Sequence, residues 1–256
     1  MFAIERQNKI KEKLFREKRI DVVELSELFS VTEVTIRRDL DKLEQEGFLI
    51  KTYGGAVLSN AFVAKAFNFE PCDNSFDEKR LIGKIASQML DNGEAIFLGS
   101  GSTCLEIARN IKDKKLTVVT NDLFIGYELR NITGIKVIVT GGDLIQATST
   151  LVGAFTLQAL NGIYINKAFI EVKGINFDSC YTVDSHDEAI VLLEVKKKSN
   201  ELIIVADYTK FDRTAFVRLG DLTLAKKVIS NKQVPSEYKK YFFEHAIKLY
   251  TTFEFE

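Results

Sequence analysis

Apolar residues recur at helical spacing in the first part of the chain. A first predicted helix carries them at Ile4, Ile10 and Leu14, with Lys, Arg and Glu between them. Asp21, followed three residues later by Glu24, is typical of the start of a second, short helix. The Asp side chain at such a position can accept a hydrogen bond from a free N–H group of the first turn. The pattern therefore predicts two helices before residue 30.

A third helix and a β-hairpin are predicted next. Thr32 is a residue type that often starts a helix, and Gly47 is one that often follows a helix end. Residues 48–53 are strand-like, and the glycine pair at 54–55 predicts a turn. This order of elements predicts a winged helix-turn-helix domain, which we place at residues 1–58. It consists of a helix, a short helix, a tight turn, a helix and a hairpin.

The remainder of the chain has a different pattern. After a weakly patterned linker at residues 59–77, short apolar runs alternate with helical stretches. Alternating strands and helices indicate a mainly parallel sheet covered by helices, so we expect residues 78–256 to form a larger domain of the α/β class. The runs that we interpret as strands are 95–98, 116–119, 135–139, 168–170, 202–205 and 227–229.

Charge and composition narrow the possible functions. The net charge is −1, and the first 60 residues contain 11 Lys/Arg and 11 Asp/Glu, so any DNA contact must depend on where the charges lie. Three widely separated cysteines and two histidines match no metal or disulfide framework. We therefore expect no metal, no cofactor and the reduced thiols of a cytoplasmic protein. No apolar run reaches the roughly 18 residues of a membrane span, and no signal peptide is evident.

Residues 31–40 have the composition of a DNA recognition helix. Small hydroxyl side chains let a helix start enter the major groove, and guanidinium groups reach phosphates or guanine edges. Most of the apolar residues in and after this segment should hold the helix on its own domain, and Asp39 is expected to pair with an arginine on the exposed face. An arginine pair also fits an ordinary solvated helix. The predicted DNA-binding residues are Thr32, Thr35, Arg37 and Arg38, with Lys51, Thr52 and Tyr53 in the hairpin.

The same segment resembles a known family signature. The residues that carry the resemblance are Thr35-Ile36-Arg37-Arg38-Asp39-Leu40, Leu43-Glu44, Gly47 and Gly54-Gly55-Ala56. Together they are similar, in residue type and in spacing, to the signature of DeoR-type bacterial regulators. The chain departs from it at Tyr53, where His is usual, and at Thr32, where Ser is usual. The resemblance implies a repressor that blocks its operator until an effector binds.

A glycine- and serine-rich turn follows the first predicted strand of the α/β part. In residues 98–104, glycines let the backbone approach an anion, hydroxyls can donate to it, and the next helix start adds partial positive charge. Two further polar or glycine-rich turns end the following strands, and such turns converge on one crevice in a parallel sheet. Each turn also fits an ordinary strand-to-helix connection. The expected effector-binding residues are Gly99, Ser100, Gly101, Ser102, Thr103, Thr120, Asn121, Gly141 and Gly142.

The resemblance extends to about residue 232. It implies that the second domain is similar to ribose-5-phosphate isomerases and coenzyme A transferases and binds sugar phosphates. Lys210 matches a lysine of the family and can neutralise a phosphate, although it also fits a surface loop.

Three departures from the family pattern concern this pocket. Gly99 stands where the family commonly has Asp. This change from Asp to Gly resembles the lactose phosphotransferase system repressors, which respond to a ketohexose phosphate. Glu171-Val172-Lys173-Gly174 replaces the usual Gly-Ala-Asp-Gly, so that a base takes the place of an acid. Leu192 stands where many relatives have Lys, and Lys173 is a candidate to supply the missing ammonium.

Two alternatives to a ligand-controlled repressor are open at this point. A sugar-phosphate isomerase with an appended helical domain needs a carboxylate base, but Gly99 and Lys173 replace the two expected acids, so we expect no catalytic residues. The α/β domain can also serve only to oligomerise a constitutive DNA binder. The favoured prediction is a repressor of a carbohydrate-uptake or catabolic operon. Its expected partners are double-stranded operator DNA and a phosphorylated sugar, with no membrane, and it is expected to form a homodimer or homotetramer.

Overall fold

The computed structural model describes residues 3–17, 19–58 and 76–251. Its contacts divide the chain into two units, residues 1–73 and residues 74–256, which we describe separately. Most of the predicted linker, up to residue 75, lies outside the described residues, so its extent stays a prediction.

The first unit has the element order of a winged helix. The chain forms three helices and a three-stranded antiparallel sheet of order β1-β3-β2. The predicted winged helix is confirmed, and the short strand β1 is an element that the pattern did not reveal. The elements are α1 (Ala3–Glu17), β1 (Arg19–Asp21), α2 (Val22–Phe29), α3 (Glu33–Gln45), β2 (Leu49–Thr52) and β3 (Gly55–Leu58).

Local signals set the helix ends where the sequence predicted them. The Asp21 carboxylate accepts hydrogen bonds from the N–H groups of Val23 and Glu24, 2.8 and 3.3 Å away, and so begins α2. Thr32 begins α3, and Gly47 follows its end with a φ of 74°, a conformation that costs glycine little. The core of this unit is the cluster Ile10, Leu14, Ile20, Val22, Leu25, Ile36, Leu40, Leu43, Phe48, Leu49 and Ala56.

The second unit is built on a seven-stranded sheet of order β15-β14-β12-β9-β4-β5-β6. All six pairings in this sheet are parallel, which confirms the predicted α/β class. The central strands are β4 (Ala95–Leu98), β5 (Leu116–Thr120), β9 (Ile165–Glu171) and β12 (Ser199–Val205), and β6 (Ile135–Val139), β14 (Lys227–Ile229) and β15 (Lys248–Tyr250) complete it. Consecutive residues are buried in β4, β9 and β12, so both faces of the sheet are covered there.

Two smaller antiparallel sheets are formed by segments that connect the strands of the large sheet. They are the hairpin of β7 (Asp143–Ile145) and β8 (Thr150–Val152), and a sheet of β10 (Gly174–Asn176), β11 (Cys180–Val183) and β13 (Val217–Gly220). The helices of this unit are α4 (Phe76–Gln88), α5 (Ser102–Arg109), α6 (Leu123–Leu129), α7 (Ala154–Ala159), α8 (His186–Lys198) and α9 (Ser236–Glu244), with a 3-10 turn at Tyr208–Lys210.

The order of the central strands determines which turns are neighbours. Strands β12, β9, β4 and β5 are adjacent and parallel, so the residues that follow them emerge at one edge of the sheet. The turn at residues 99–101 therefore lies between the turn after β5 and the end of β9. This edge is the expected place for a ligand crevice in an open parallel sheet.

Candidate nucleic-acid interface and effector site

Helix α3 has one buried side and one exposed side. Ile36, Leu40 and Leu43 are almost fully buried in the core of the first unit, whereas Val34 is 58% exposed. The prediction that most of these apolar residues hold the helix on its domain is therefore confirmed, with Val34 as the exception. The exposed side also carries Thr32, Arg37 and Arg38, and the partly exposed Thr35.

Asp39 does not belong to the exposed side. Its carboxylate is buried and accepts hydrogen bonds from Arg6 Nε, 2.6 Å away, and from Gln7 Nε2, 2.8 Å away. The expected pairing with an arginine of the exposed face is thus wrong, because a buried carboxylate needs partners inside the domain. The contact joins α3 to α1 and leaves Arg37 and Arg38 for another role.

The two arginines have different surroundings. Arg37 Nη2 lies 2.8 Å from Glu33 Oε2, one helical turn earlier, and both side chains are well exposed. An exposed pair of this kind contributes little stability, so a phosphate can take the place of the carboxylate at low cost. Arg38 is exposed one residue further along.

The hairpin is attached to α3 through Lys51. The Lys51 ammonium contacts the Asp41 carboxylate and lies 3.7 Å from Glu44 Oε2, and its backbone N–H donates to Glu44 Oε1 at 3.0 Å. The hydrogen bond with Asp41 raises the pKa of Lys51 above its usual value. Thr52 is exposed and Tyr53 fully so, at the turn between β2 and β3. This attachment fixes the hairpin beside the exposed side of α3.

At the edge of the parallel sheet, side-chain hydrogen bonds join the 99–103 turn to the segment after β5 and to the hairpin of β7 and β8. Ser100 Oγ donates to Asp122 Oδ2 at 2.7 Å and accepts from Thr150 Oγ1 at 2.7 Å. Thr120 Oγ1 donates to the carbonyl of Leu98 at 2.7 Å. Burial raises the pKa of Asp122, and the hydrogen bond from Ser100 opposes this shift.

A carboxylate from β9 enters the same turn. Glu171 is buried, and its Oε2 accepts a hydrogen bond from the N–H of Thr103, 2.7 Å away. Lys173 Nζ lies 4.0 Å from Glu171 Oε1, and the charge of Glu171 raises the pKa of Lys173. Burial raises the pKa of the nearby Glu188, while the charge of Lys173 lowers it.

Described contacts connect some of the predicted effector residues, whereas others contact different parts of the unit. The 99–103 turn is joined through Glu171 to Lys173, and Thr120 binds the carbonyl of Leu98 at the end of β4, just before the turn. Asn121 is buried and donates from Nδ2 to the carbonyl of Leu151 at 3.1 Å. The described contacts of Gly141, Gly142 and Lys210 are local. The Gly141 carbonyl accepts from Thr156 Oγ1, Gly142 packs against Thr156 and Val152, and Lys210 ends the 3-10 turn after β12, where its N–H binds Asp207.

Several residues in these sites were not predicted. Glu171 stands out as an acid at the end of an apolar run, and Asp122 sits where a helix-starting residue is expected, so both left a signal in the sequence. Thr150 left none, because a hairpin brings it to Ser100 from 50 residues away. Val34 could be assigned to the exposed side only once the packing of α3 was known.

The described residues offer no cluster of three or more His, Cys, Asp or Glu side chains that could hold a metal ion. Cys104 and Cys180 are buried free thiols, and Cys72 lies outside the described residues. Burial raises the pKa of Cys104 well above its usual value. Within the part of the chain that is described, no helix has both the length and the apolar character needed to cross a bilayer.

The fold and the two sites define a class of protein, a two-domain transcriptional regulator with a DNA-binding unit and a sensor unit. The DeoR-like helix-turn-helix domain matches residues 6–62, and the DeoR C terminal sensor domain matches residues 74–232. The chain therefore belongs to the DeoR family, as the sequence signature indicated, and is a DeoR-type transcriptional repressor rather than an enzyme.

Bacterial regulators and repressors are similar to nearly the whole chain. The regulator GolR of Listeria innocua is 32% identical over 94% of this chain and 96% of its own length. The glycerol-3-phosphate regulon repressor of Escherichia coli is 26% identical over 97% of this chain and 99% of its own. The lactose phosphotransferase system repressor of Lactococcus lactis is 28% identical, over 89% and 90%. The identity to the lactose repressor falls between those two values, so it does not single out that subfamily.

Solved structures match parts of the chain only. Ribose 5-phosphate isomerase A of Methanocaldococcus jannaschii is 14% identical, with a TM-score of 0.41, over 54% of this chain and 55% of that one. Initiation factor eIF2B delta of Chaetomium thermophilum is 14% identical, with a TM-score of 0.45, over 66% and 61%.

Proposed function

We propose that this repressor binds its operator through the exposed side of α3. The observation that carries the proposal is the separation of α3 into two sides. Ile36, Leu40 and Leu43 are buried, and the opposite side presents the hydroxyl and guanidinium groups that suit groove and phosphate contacts. The residues assigned to this interface are Thr32, Thr35, Arg37 and Arg38, with Lys51, Thr52 and Tyr53 along the neighbouring phosphates.

Val34 extends this interface. Its side chain is 58% exposed on a helix whose other large aliphatic side chains in the same stretch are buried. In the major groove, an aliphatic group makes favourable contact with the methyl group of thymine. We assign Val34 to base contact beside Thr35.

We propose that the effector is a phosphorylated sugar, which binds at the edge of the parallel sheet where the strands have their carboxyl ends. Glycine and hydroxyl groups meet there at the start of α5, a chemistry suited to a phosphate. Two buried polar atoms at this edge, Thr103 Oγ1 and Asn121 Oδ1, have no hydrogen-bond partner within the described residues. Buried polar atoms are usually satisfied, so their presence supports a site completed by a ligand.

We propose that the repressor regulates a carbohydrate-uptake or catabolic operon. Two relatives are named as repressors of a glycerol-3-phosphate regulon and of a lactose phosphotransferase system, which supports this class. In the proposal, residues 59–77 connect the winged helix of residues 1–58 to the sensor of residues 78–256. A homodimer or homotetramer would present two winged helices to a repeated or palindromic operator.

A gel-shift titration at fixed salt tests the DNA interface. We expect the double variant Arg37→Ala/Arg38→Ala to lose about 1–3 kcal/mol of operator binding for each lost base contact, or to show a weaker salt dependence if the arginines meet phosphates. The matched control is Arg130→Ala/Arg213→Ala, which removes two exposed arginines of the second unit. Undiminished affinity of the first double variant would refute the assignment.

A further inference from the structure

The donors of the 99–103 turn are already bound to carboxylates of the chain itself. The Ser100 hydroxyl donates to Asp122 Oδ2 at 2.7 Å, and the N–H of Thr103 donates to Glu171 Oε2 at 2.7 Å. Backbone N–H groups at a helix start bind anions well. The site that suits a phosphate is therefore occupied by two internal anions.

Glu171 accepts a hydrogen bond from the turn and also fills the space beside it. A Cβ atom built at Gly101 would lie 2.3 Å from Glu171 Oε2, and the φ of Gly101 is 136°. Only glycine accommodates both this conformation and the carboxylate. Glu171 thus lies against the backbone of Gly101, in the position that an external anion would need.

The local charge opposes the binding of an additional, external anion. Lys173 is the cation described beside Glu171, at 4.0 Å, and it also faces the charge of Glu188. Asp122 is the second carboxyl group at the turn. A phosphate would bring further negative charge to a place where one ammonium already serves two carboxylates, and like charges at such distances repel strongly when buried.

The two carboxylates at the turn differ in how firmly they are held. Asp122 begins α6 by accepting from the N–H groups of Phe124 and Ile125, at 2.7 and 3.0 Å, and it also binds Ser100. Glu171 has a longer side chain, and its described contacts are the Thr103 N–H and the Lys173 ammonium. Glu171 is therefore the carboxylate that can leave while the turn keeps its shape.

We propose that Glu171 is a built-in competitor of the effector's phosphate at the 99–103 turn, and that its departure from Thr103 sets the effector affinity. The inference rests on the proposed phosphorylated effector. Lys173, whose side chain is 27% exposed, can follow the carboxylate outward or bind the phosphate in its place. The chain therefore selects ligands whose remaining groups compensate for displacing an internal anion.

Titration calorimetry with inorganic phosphate, at constant ionic strength, tests this competition on the full chain. Glu171→Gln removes the charge and keeps an acceptor for Thr103, and Glu171→Ala also empties the space beside Gly101. Both variants are expected to bind phosphate about tenfold or more tightly than the wild type, because a like charge next to the site is gone. Glu188→Gln is the matched control, since it removes a charge near Lys173 and leaves the turn filled.

Three results would overturn the inference. If folded Glu171 variants bind phosphate no more tightly than a wild type that binds it, the competition fails and the proposed effector class stands. An equal gain in Glu188→Gln would show that only the overall charge matters. No phosphate binding by the Glu171 variants, which lack the competing charge, would reject the competition, and the screen of phosphorylated sugars tests the effector class separately.

A second measurement uses the wild type and so does not depend on the folding of any variant. In ¹H–¹⁵N spectra of the full chain, the Thr103 amide peak should move strongly as phosphate saturates, because its acceptor changes from Glu171 to phosphate. Saturation that leaves this peak in place would contradict the displacement.

Discussion

The ion pair of Asp39 with Arg6 shows how a single residue can be placed wrongly from sequence. Asp39 follows Arg37 and Arg38 directly, which suggested a surface pair. Its carboxylate instead points into the domain and binds Arg6 and Gln7 of α1. Successive side chains on a helix are turned by about 100°, so Asp39 lies about 200° around the helix from Arg37, on the side that faces α1.

We expect Asp39→Ala to destabilise the first unit strongly. The substitution leaves the Arg6 guanidinium buried without its partner, a change that typically costs about 3–5 kcal/mol. Urea unfolding of the full chain, followed together with operator binding, measures the loss.

The matched control for this substitution is Glu46→Ala. Lys11 Nζ and Glu46 Oε2 form a second pair between α1 and the end of α3, 2.7 Å apart, but both side chains are substantially exposed. Its removal should cost no more than about 1 kcal/mol. Equal losses at the two positions would show that burial does not decide the strength of these pairs.

At the scale of elements, the hairpin depends on one close approach of the backbone. Strand β1 pairs with β3 so tightly that a Cβ atom at Gly55 would lie 2.1 Å from the carbonyl oxygen of Ile20. The sequence predicted a turn at 54–55 but not this contact, since β1 has only three residues and no pattern of its own. Short strands stay hidden because three residues are too few to show an alternation.

Gly55→Ala is therefore expected to disturb the β1–β3 pairing and to weaken operator binding. Forcing a methyl group against a backbone carbonyl should cost about 1–3 kcal/mol, or more if the strands separate. Thermal unfolding and a gel-shift titration on the same preparation would measure both effects.

Gly47→Ala is the control for Gly55→Ala. Gly47 also lies at the end of an element, with a φ of 74°, but a Cβ atom there would meet no heavy atom within 4 Å. The stability lost in Gly47→Ala should therefore reflect backbone strain alone, about 1 kcal/mol. A smaller effect at Gly55 than at Gly47 would contradict the close approach.

At the scale of the whole molecule, a sensor and a DNA-binding unit on one chain can be linked only through a difference in affinity. A ligand lowers operator affinity if it binds the DNA-free form more tightly than the DNA-bound form. Because such coupling is reciprocal, operator DNA must weaken ligand binding by an equal factor.

We expect a phosphorylated sugar to raise the melting temperature of the full chain and to release it from operator DNA. The screen would cover phosphorylated ketohexoses, aldohexoses, pentoses and polyols, each beside its unphosphorylated form as control. Thermal stabilisation without release would mean that the sensor binds but is not coupled to DNA. No stabilisation by any member would favour an α/β domain that only oligomerises.

The sequence by itself determined the fold class, the order of the two units and the position of helix α3. These features depend on local periodicity, on residues at helix ends and on a short signature, all of which are contained in neighbouring residues. Only the tertiary structure decided which side of α3 carries Val34 and where Asp39 points. It also decided that Glu171 fills the turn at Gly101, a contact that joins residues 70 positions apart. Such contacts depend on strand order in the sheet, which no local pattern records.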